Sequence, residues 1–384
     1  MRGLRVQTEG MTIVKYSKFP LLLAVAVLAA ACSSNGDTQE AASPVQLSAQ
    51  VASYELVAGA PDRFLVGLFT DEGVVSYGTA DLSFSYLGTG DASPEPGPSA
   101  EAKFLLVPQE GAGHTHDGEE PSSTATPMED MDGMETEHSE GHDGHEEASS
   151  GAKEAPVIPT DEELAAAEAR APEVTAPDLT RGVYQAEEVE FDQAGVWQAE
   201  VSIDIDGATA SATAAFQVVD EPAYPFPGEP APASENHLMN SEEVKPSVVD
   251  SRANEGWGSV PDPELHGTTV ADAIDGGRAA VVVVSTPLYC QSRFCGPITD
   301  EVQALAHDFE GVADFIHLEV WRNYQEKVVN EAAAEWVYRD DITEPWVFLV
   351  GTDGKILDRW ANVMDVRDLR AELESIGPTQ GVAP

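Results

Sequence analysis

The feature that most limits how this chain can fold is the stretch 279–309, AAVVVVSTPLYCQSRFCGPITDEVQALAHDF. Its four consecutive valines, Val281–Val284, predict a strand that is buried on both faces, as in a sheet covered by helices. A loop with two cysteines follows, and Gly296 and Pro297 then open an amphipathic run with apolar residues at helical spacing. Proline is tolerated in a first helical turn because its missing N–H would have no partner there. The stretch therefore predicts a strand, a cysteine loop and a helix, in that order.

The two cysteines of this loop, Cys290 and Cys295, are the most informative residues for function. Cys295 lies at or just before the predicted helix N-terminus, where backbone N–H groups and the helix dipole stabilise a thiolate. A disulfide across this spacing closes a loop too short to add much stability, so the pair is more typical of redox chemistry than of a structural crosslink. Positions five apart on a regular helix point about 140° away from each other, so such a disulfide requires Cys290 to lie outside the helix.

Cys295, Gly296 and Pro297 resemble three quarters of the thioredoxin active-site motif Cys-Gly-Pro-Cys. Ile298 stands where the second cysteine of that motif is expected, and Cys290 is its candidate replacement upstream. The C-terminal third of the chain is similar to the thioredoxin-like domains of secreted, membrane-anchored proteins. The resemblance implies an α/β thioredoxin fold with a Cys-x4-Cys-Gly-Pro variant of the redox site.

The pattern of residues 247–384 agrees with that resemblance. Pro345 precedes a predicted strand at the place where thioredoxin-like folds carry a cis-proline packed against the cysteines, so the resemblance implies a cis bond there. His317, inside an apolar strand, is expected to be a core histidine rather than a ligand. The order predicted is strand, helix, strand, helix, strand, strand, helix, with strands at 280–284, 313–320, 347–350 and 356–357 and helices at 297–309, 323–338 and 366–376.

Two assignments of the cysteines remain open. In one, Cys295 is the nucleophile because of its place at the helix terminus, and Cys290 resolves the mixed disulfide. In the other, Tyr289-Cys290 replaces the Trp-Cys pair of thioredoxins, and Cys295 is a displaced second cysteine. The electrostatics of the helix terminus favour the first assignment. Arg293, between the cysteines, is a candidate for stabilising a thiolate.

Residues 1–31 have the features of a lipoprotein signal peptide, because lysines precede an apolar run at 21–31. The small residues before Cys32 resemble a bacterial lipobox, in which the cysteine becomes lipidated. The apolar run is too short to span a bilayer as a helix. We therefore expect an extracytoplasmic protein that is anchored to the cell membrane through lipid at Cys32, with residues 32–44 as a tether.

Residues 45–219 alternate short apolar runs with Gly, Asp and Pro clusters, which predicts seven or eight short strands. That number is typical of an immunoglobulin-like sandwich, and the run Gly195-Val196-Trp197 resembles the late strands of such periplasmic domains. We therefore expect a multi-domain chain, in which an N-terminal all-β immunoglobulin-like sandwich precedes the thioredoxin-like domain. The proline-rich segment 220–246 is the predicted linker between them.

An insert at 108–180 interrupts this β region with a sequence rich in Gly, Ser, acidic residues, His and Met. Such a composition cannot bury a core, so the insert is expected to be disordered. Within it, Thr160 and Glu163 predict a capping box that begins a short helix ending at Arg170. Imidazole, thioether and carboxylate groups bind copper, zinc or nickel, which makes the insert a candidate for loose metal binding. The candidate ligands are His114, His116, Met128, Met131, Met134, His138, His142 and His145.

The net charge of −48 excludes nucleic acid as a partner, because 20 basic residues among 68 acidic ones cannot neutralise phosphates. It also argues against binding to an anionic membrane through a basic face. The expected partners are protein thiols or disulfides, and the expected membrane contact is the lipid. No NAD, flavin or nucleotide motif is present in the sequence, so no cofactor is required, and copper is the candidate ligand.

The leading expectation for function is a thiol–disulfide oxidoreductase that cycles Cys290 and Cys295. Two alternatives stay open. A copper chaperone of the thioredoxin-fold oxidase-assembly type would hold Cu(I) with the cysteine pair and a distant histidine. A Q-type peroxiredoxin, which the run Thr286-Pro287 before Cys290 resembles, would use Cys290 against peroxide. Val283 and Pro287 depart from the Pro-x-x-x-Thr-x-x-Cys signature of that family.

Overall fold

Two β-sheets, of nine and four strands, account for most of the regular secondary structure described in the computed structural model, and six α-helices, two short 3-10 helices and a two-stranded hairpin complete it. The structure describes residues 45–88, 93–108, 158–176, 181–239, 241, 244–254, 260–290, 292–339 and 341–377. The predicted signal peptide, Cys32 and the predicted tether lie outside these ranges. So do all the His and Met residues proposed as metal ligands in the insert.

The nine-stranded sheet is antiparallel throughout, in the order β6-β3-β2-β7-β5-β4-β8-β9, with β1 paired to β2. Its strands are β1 (Ser48–Val51), β2 (Pro61–Phe69), β3 (Val74–Ser76), β4 (Thr79–Gly88), β5 (Glu95–Leu106), β6 (Glu173–Thr175), β7 (Gly182–Glu190), β8 (Gly195–Ile205) and β9 (Ala208–Val218). They form because apolar and polar residues alternate: in β8, buried residues recur at every second position. One face of the sheet surrounds an aromatic core in which Phe64, Phe84 and Phe191 meet edge to face.

Backbone hydrogen bonds join all nine strands of this region into one sheet. An immunoglobulin-like sandwich instead packs two separate sheets face to face. The β character expected for residues 45–219 is therefore confirmed, whereas the division into two sheets is not. Strands β3 and β6 are additional to the predicted set, because each has only three residues and too little alternation to be recognised.

The end of the insert, residues 158–176, is ordered: the short helix predicted there forms, whereas the disorder expected for the residues beside it is wrong, since β6 follows the helix. Helix α1 (Asp161–Ala169) begins at the predicted capping box: Glu163 N–H donates to Thr160 Oγ1, and Thr160 N–H donates to the Glu163 carboxylate. Its buried residues, Leu164 and Ala167, supply the apolar contacts that a solvated insert would lack.

The four-stranded sheet has the order β11-β10-β14-β15. Strand β10 is parallel to β11 and antiparallel to β14, and β15 is antiparallel to β14. The remaining strands are β10 (Ala280–Ser285), β11 (Asp314–Glu319), β12 (Trp321–Asn323), β13 (Val328–Val329), β14 (Trp346–Val350) and β15 (Ile356–Ala361), and the remaining helices are α2 (Pro246–Val249), α3 (Val270–Asp275), α4 (Cys295–Asp308), α5 (Glu331–Val337) and α6 (Val366–Ile376).

Helices cover both faces of this sheet, as the valine run predicts. Val281 and Val283 pack in one buried cluster with residues of α4 and α6. Val282 and Val284 pack in another with residues of α3 and α5. All six residues of β10 are buried, which confirms the expectation of a strand without a solvent face.

The helix predicted over 323–338 forms only in its second half, as α5. The first half is the β12–β13 hairpin, in which Lys327 has a positive φ of 56° that ends helical geometry. Tyr324, in the hairpin turn, stacks on Tyr289 with ring centroids 4.1 Å apart. A tertiary contact with the cysteine loop thus overrides the local helical preference.

The two sheets share a buried interface. Leu65, Leu105 and Val183 of the first sheet belong to the apolar cluster that contains Val281. Arg359 Nη1 also makes a buried ion pair with Glu55 Oε2 at 2.8 Å. The described residues from 45 onward belong to one compact unit.

The proline-rich segment predicted as a linker packs along the second sheet. Ser234 is buried and its hydroxyl accepts a hydrogen bond from Trp336 Nε1 at 3.0 Å. Asn236 Oδ1 accepts one from the Val270 N–H at 2.9 Å. Its described residues are therefore a packed part of the structure, and the division into two domains stays a prediction.

Candidate redox site

A disulfide links Cys290 and Cys295, with their Cα atoms 5.9 Å apart. Helix α4 begins at Cys295, so Gly296 and Pro297 lie in its first turn and Cys290 lies outside the helix, as expected. The two sulfur-bearing residues differ in exposure, because Cys295 is fully buried and Cys290 is half-buried. Only Cys290 therefore presents surface that a second protein could reach.

The loop between the cysteines carries polar groups close to the more exposed sulfur. Ser292 Oγ lies 3.3 Å from Cys290 Sγ. The Ser292 side chain also lies near the hydroxyl of Tyr54, a residue that follows β1 in the chain. Arg293, at the exposed tip of the loop, has a positive φ of 64°. The first sheet therefore supplies a residue to the surroundings of the disulfide.

The bond between Glu344 and Pro345 is cis, as the resemblance implies, and β14 begins at the next residue. Tyr54, which follows β1, hydrogen-bonds to this turn. Its hydroxyl donates to the carbonyl oxygen of Glu344 at 2.5 Å and lies 3.0 Å from Asn362 Oδ1. Asn362 Nδ2 in turn donates to the carbonyl oxygen of Ala52 at 3.2 Å. Burial raises the pKa of Tyr54, so its hydroxyl stays protonated and remains a donor.

Two carboxyl groups, of the buried Glu319 and the half-buried Glu344, lie near Thr286 at the start of the redox loop, which is formed by residues 286–294 between β10 and α4. Burial, reinforced by the nearby charge of Glu319, raises the pKa of Glu344 to about 9. Burial and the charge of Asp250 raise the pKa of Glu319 to about 7. Glu319 Oε2 accepts the N–H of Ser251 at 2.7 Å, whereas Glu344 Oε2 has no partner among the described residues. The neutral form of Glu344 is therefore favoured at neutral pH.

We expect Glu344→Gln to flatten the loss of stability that accompanies a rise in pH. The folded-state pKa of about 9 lies above the usual 4.5, so between these values the folded chain holds a proton that the unfolded chain has released. The contribution is full below the lower value and is lost by up to about 1.4 kcal/mol per pH unit as pH rises towards the upper one. Glutamine does not titrate and removes this contribution.

Urea denaturation between about pH 5 and 9 measures the effect. The variant Glu331→Gln, at an exposed position at the start of α5, is the matched control and should follow the wild type. A Glu344→Gln chain whose free energy of unfolding falls as steeply as that of the wild type would contradict the prediction.

A chain of hydrogen bonds leads from the start of α4 into the core. Thr299 Oγ1 donates to the carbonyl oxygen of Cys295 at 2.7 Å. The hydroxyls of Thr299 and Ser285 lie 2.7 Å apart, and His317 Nε2 lies 3.0 Å from Ser285 Oγ. Burial lowers the pKa of His317 to about 3, so its ring is neutral. His317 is thus a buried core histidine, as expected, but its Nδ1 has no hydrogen-bond partner among the described residues.

The unpartnered Nδ1 of His317 belongs to a buried charged cluster. The other members of this cluster are Asp250, Arg252, Asp262 and His266. Arg252 Nη2 lies 2.5 Å from Asp250 Oδ2 and 2.7 Å from Asp262 Oδ2. Burial and the charge of Asp262 raise the pKa of Asp250 to about 6. Burial opposes ionisation of Asp262 as well, but the positive charge of Arg252 outweighs it and holds that pKa well below its usual range.

The cluster has the spacing of a metal site. Ligand atoms of Asp250, Asp262, His266 and His317 all lie within 4.8 Å of one another. The guanidinium of Arg252, however, already contacts both carboxylates and supplies the positive charge there. The cluster is therefore a buried ion network. It lies beneath the redox loop, where the hydroxyl of Ser251, next to Arg252, accepts the Leu288 N–H at 3.1 Å.

No family model, curated protein or solved structure matches this chain. No helix in the described part of the chain is both long and apolar enough to cross a membrane. Of the residues singled out from the sequence, the two cysteines are joined in a disulfide, and Pro345 follows a cis peptide bond.

Several residues of the site carry no signal in the sequence. Tyr54 lies more than 200 positions from the cysteines, and nothing in its neighbourhood marks it. Arg252 and Asp262 likewise belong to no recognisable motif. Glu344 is the exception. It directly precedes Pro345, which is expected to face the cysteines, and an acidic residue is unusual at such a position.

Proposed function

We propose that this protein is an extracytoplasmic thiol–disulfide oxidoreductase that uses the Cys290–Cys295 disulfide and is anchored to the membrane through lipid at Cys32. The observation that carries the proposal is the disulfide itself, formed between a half-buried loop cysteine and a buried cysteine at a helix N-terminus. A helix N-terminus stabilises the thiolate of Cys295, which resolves the mixed disulfide in the reducing direction and is the leaving group in the oxidising direction.

The arrangement of the second sheet supports a thioredoxin-like fold as part of this proposal. Apart from the additional β12–β13 hairpin, its elements β10, α4, β11, α5, β14, β15 and α6 follow one another in the predicted order of strands and helices. The redox loop connects β10 to α4, and the cis bond before Pro345 precedes β14. Under this proposal the nine-stranded sheet serves as a support that reaches the redox loop through Tyr54.

The exposures of the two cysteines favour Cys290 as the residue that exchanges with a partner, in place of the assignment preferred from the helix terminus alone. In the reducing direction, the Cys290 thiolate attacks one sulfur of a partner disulfide, and the other sulfur leaves as a thiolate that takes up a proton. The Cys295 thiolate then attacks Cys290 Sγ and releases the second partner sulfur. Two electrons have passed to the partner, and the intramolecular disulfide is restored. The oxidising direction is the reverse of these steps.

A redox titration of the full mature chain tests the proposal. The chain is equilibrated in thiol–disulfide buffers, alkylated and analysed by mass. We expect a reversible two-electron couple at Cys290 and Cys295 with a potential of roughly −270 to −120 mV, the range from thioredoxin to strongly oxidising disulfide proteins. A pair that does not cycle reversibly would overturn the proposal.

The alternatives give different results in the same samples. A copper chaperone would retain about one Cu(I) per reduced cysteine pair, and Cys290→Ser would abolish this binding. A peroxidase would be oxidised by peroxide through a sulfenic acid at Cys290. An oxidoreductase cycles its disulfide without metal and without peroxide.

A further inference from the structure

An open cleft of about 430 Å³ lies beside the disulfide loop, and the proposed function does not account for it. Residues 292–294 of the loop form one wall, and residues 50–54 of the first sheet line another side. Gly67, Phe69 and Val183 also line it. The cleft is therefore built by both sheets, next to the cysteine that is accessible to a partner.

The apolar surface of the cleft continues from the buried interface. Leu65 and Val183 pack in the shared core, and Gly67 and Phe69 follow Leu65 along the same face of β2 because side chains alternate in a strand. The Phe69 ring lies over Gly67, where an added Cβ would be 3.0 Å from its atoms. Phe69 is one of the large apolar residues that remain exposed, at 36 %. The core thus extends into a surface that solvent can reach.

The cleft carries the positive group of Arg293, although the chain as a whole is strongly acidic. Its charged lining residues among those described are Arg181 and Arg293, and none is acidic. This is unusual in a sequence with 68 acidic and 20 basic residues. Among the described residues, no carboxylate lies within ion-pair distance of Arg293, at the exposed tip of the loop. A ligand with both apolar and anionic groups would complement this lining.

We propose that this cleft binds an extended segment of the partner protein beside its reacting cysteine, with an apolar side chain on Phe69 and a carboxylate near Arg293. The proposal rests on the oxidoreductase function and names the substrate class that the site prefers: a protein whose redox cysteine is flanked by apolar and acidic residues. It also gives the first sheet a role in recognition. The partner segment lies across both sheets while its sulfur reaches Cys290.

The test uses the oxidised full mature chain and two reduced peptides that differ beside their single cysteine, one with Leu-Asp and the other with Ser-Lys. Two peptide thiols reduce the Cys290–Cys295 disulfide and leave as a peptide disulfide, so atoms and electrons balance. The rate constant for each peptide is divided by the rate constant for dithiothreitol with the same protein variant. This ratio removes any effect of a variant on the intrinsic reactivity of the disulfide.

Phe69→Ala and Arg293→Gln are expected to lower the ratio for the Leu-Asp peptide by about tenfold and to leave the ratio for the Ser-Lys peptide within about twofold. Val196→Ala and Lys355→Gln are the matched controls, at an exposed apolar residue of β8 and an exposed cation in the β14–β15 turn. Both should react as the wild type does.

Two results would overturn the cleft proposal while leaving the oxidoreductase intact. In one, both peptide ratios are unaffected by Phe69→Ala and Arg293→Gln although dithiothreitol still reduces the disulfide. In the other, deletion of residues 109–157 accelerates both peptides equally, which would assign the cleft to the chain's own acidic insert. A disulfide that dithiothreitol does not reduce reversibly would instead reject the proposed function.

Discussion

A Cys295→Ser chain is expected to accumulate a mixed disulfide between Cys290 and its partner protein, whereas a Cys290→Ser chain is expected to form none. The physical reason is access: Cys295 is fully buried at the start of α4, and Cys290 is half-buried in the loop before it. Serine at 295 removes the thiolate that would resolve the adduct. Turnover should fall in both variants on the order of a thousandfold or more, as it does when the nucleophile of an enzyme is removed.

Non-reducing electrophoresis of membrane fractions, followed by mass analysis of the crosslinked peptide, measures the adduct. Ser292→Ala is the matched control, because it changes the neighbour of Cys290 Sγ at 3.3 Å and keeps both thiols. It should form no stable adduct. An adduct that appears on Cys290→Ser instead would make Cys295 the attacking residue, as the electrostatics of the helix terminus alone predict.

Features that depend on neighbouring residues could be predicted from the sequence. The four valines predict a strand that is buried on both faces, because their run leaves no polar face. Thr160 and Glu163 gave a capping box, since both reciprocal hydrogen bonds form within one helical turn. Helix α6 also has its predicted bounds, because its apolar residues recur at helical spacing and Asp365 caps it.

Features that depend on distant contacts could not be predicted. The β12–β13 hairpin replaces half of a predicted helix because Tyr324 stacks on Tyr289, a contact with no local signature. The one-sheet architecture of residues 45–219 depends on which strands pair, and strand lengths and turns do not determine this.

The residues of the candidate site also fall into those that the sequence marks and those that depend on distant contacts. The cysteines and Pro345 were recognisable, because a motif and a topological position mark them. Tyr54 was not, because its hydrogen bond to Glu344 joins residues 290 positions apart. The cleft could not be foreseen for the same reason, since its walls come from separate parts of the chain.

Arg252→Met is expected to be the most destabilising single change outside the apolar core. Arg252 is only 7 % exposed and makes ion pairs with Asp250 and Asp262, whose side chains are fully buried. Removing a buried cation leaves its carboxylates without compensation, at a cost of about 3–5 kcal/mol. Arg322→Met, at an exposed position of β12, is the matched control and should change the free energy of unfolding by less than about 0.5 kcal/mol. Urea denaturation with the disulfide intact measures both.

The triple variant Arg252→Met with Asp250→Asn and Asp262→Asn separates loss of charge balance from loss of packing. If uncompensated carboxylates cause the damage, the triple variant should recover most of the stability, because buried ion networks are often replaceable by neutral groups. The rate of disulfide reduction provides a second readout, since the hydroxyl of Ser251, beside Arg252, accepts a hydrogen bond from the Leu288 N–H of the redox loop. Arg252→Met should therefore also speed the reduction of the Cys290–Cys295 disulfide by loosening the loop. Unchanged stability in Arg252→Met would mean that another cation balances the two carboxylates, and the unpartnered Nδ1 of His317 would then be the place to search for a bound metal ion.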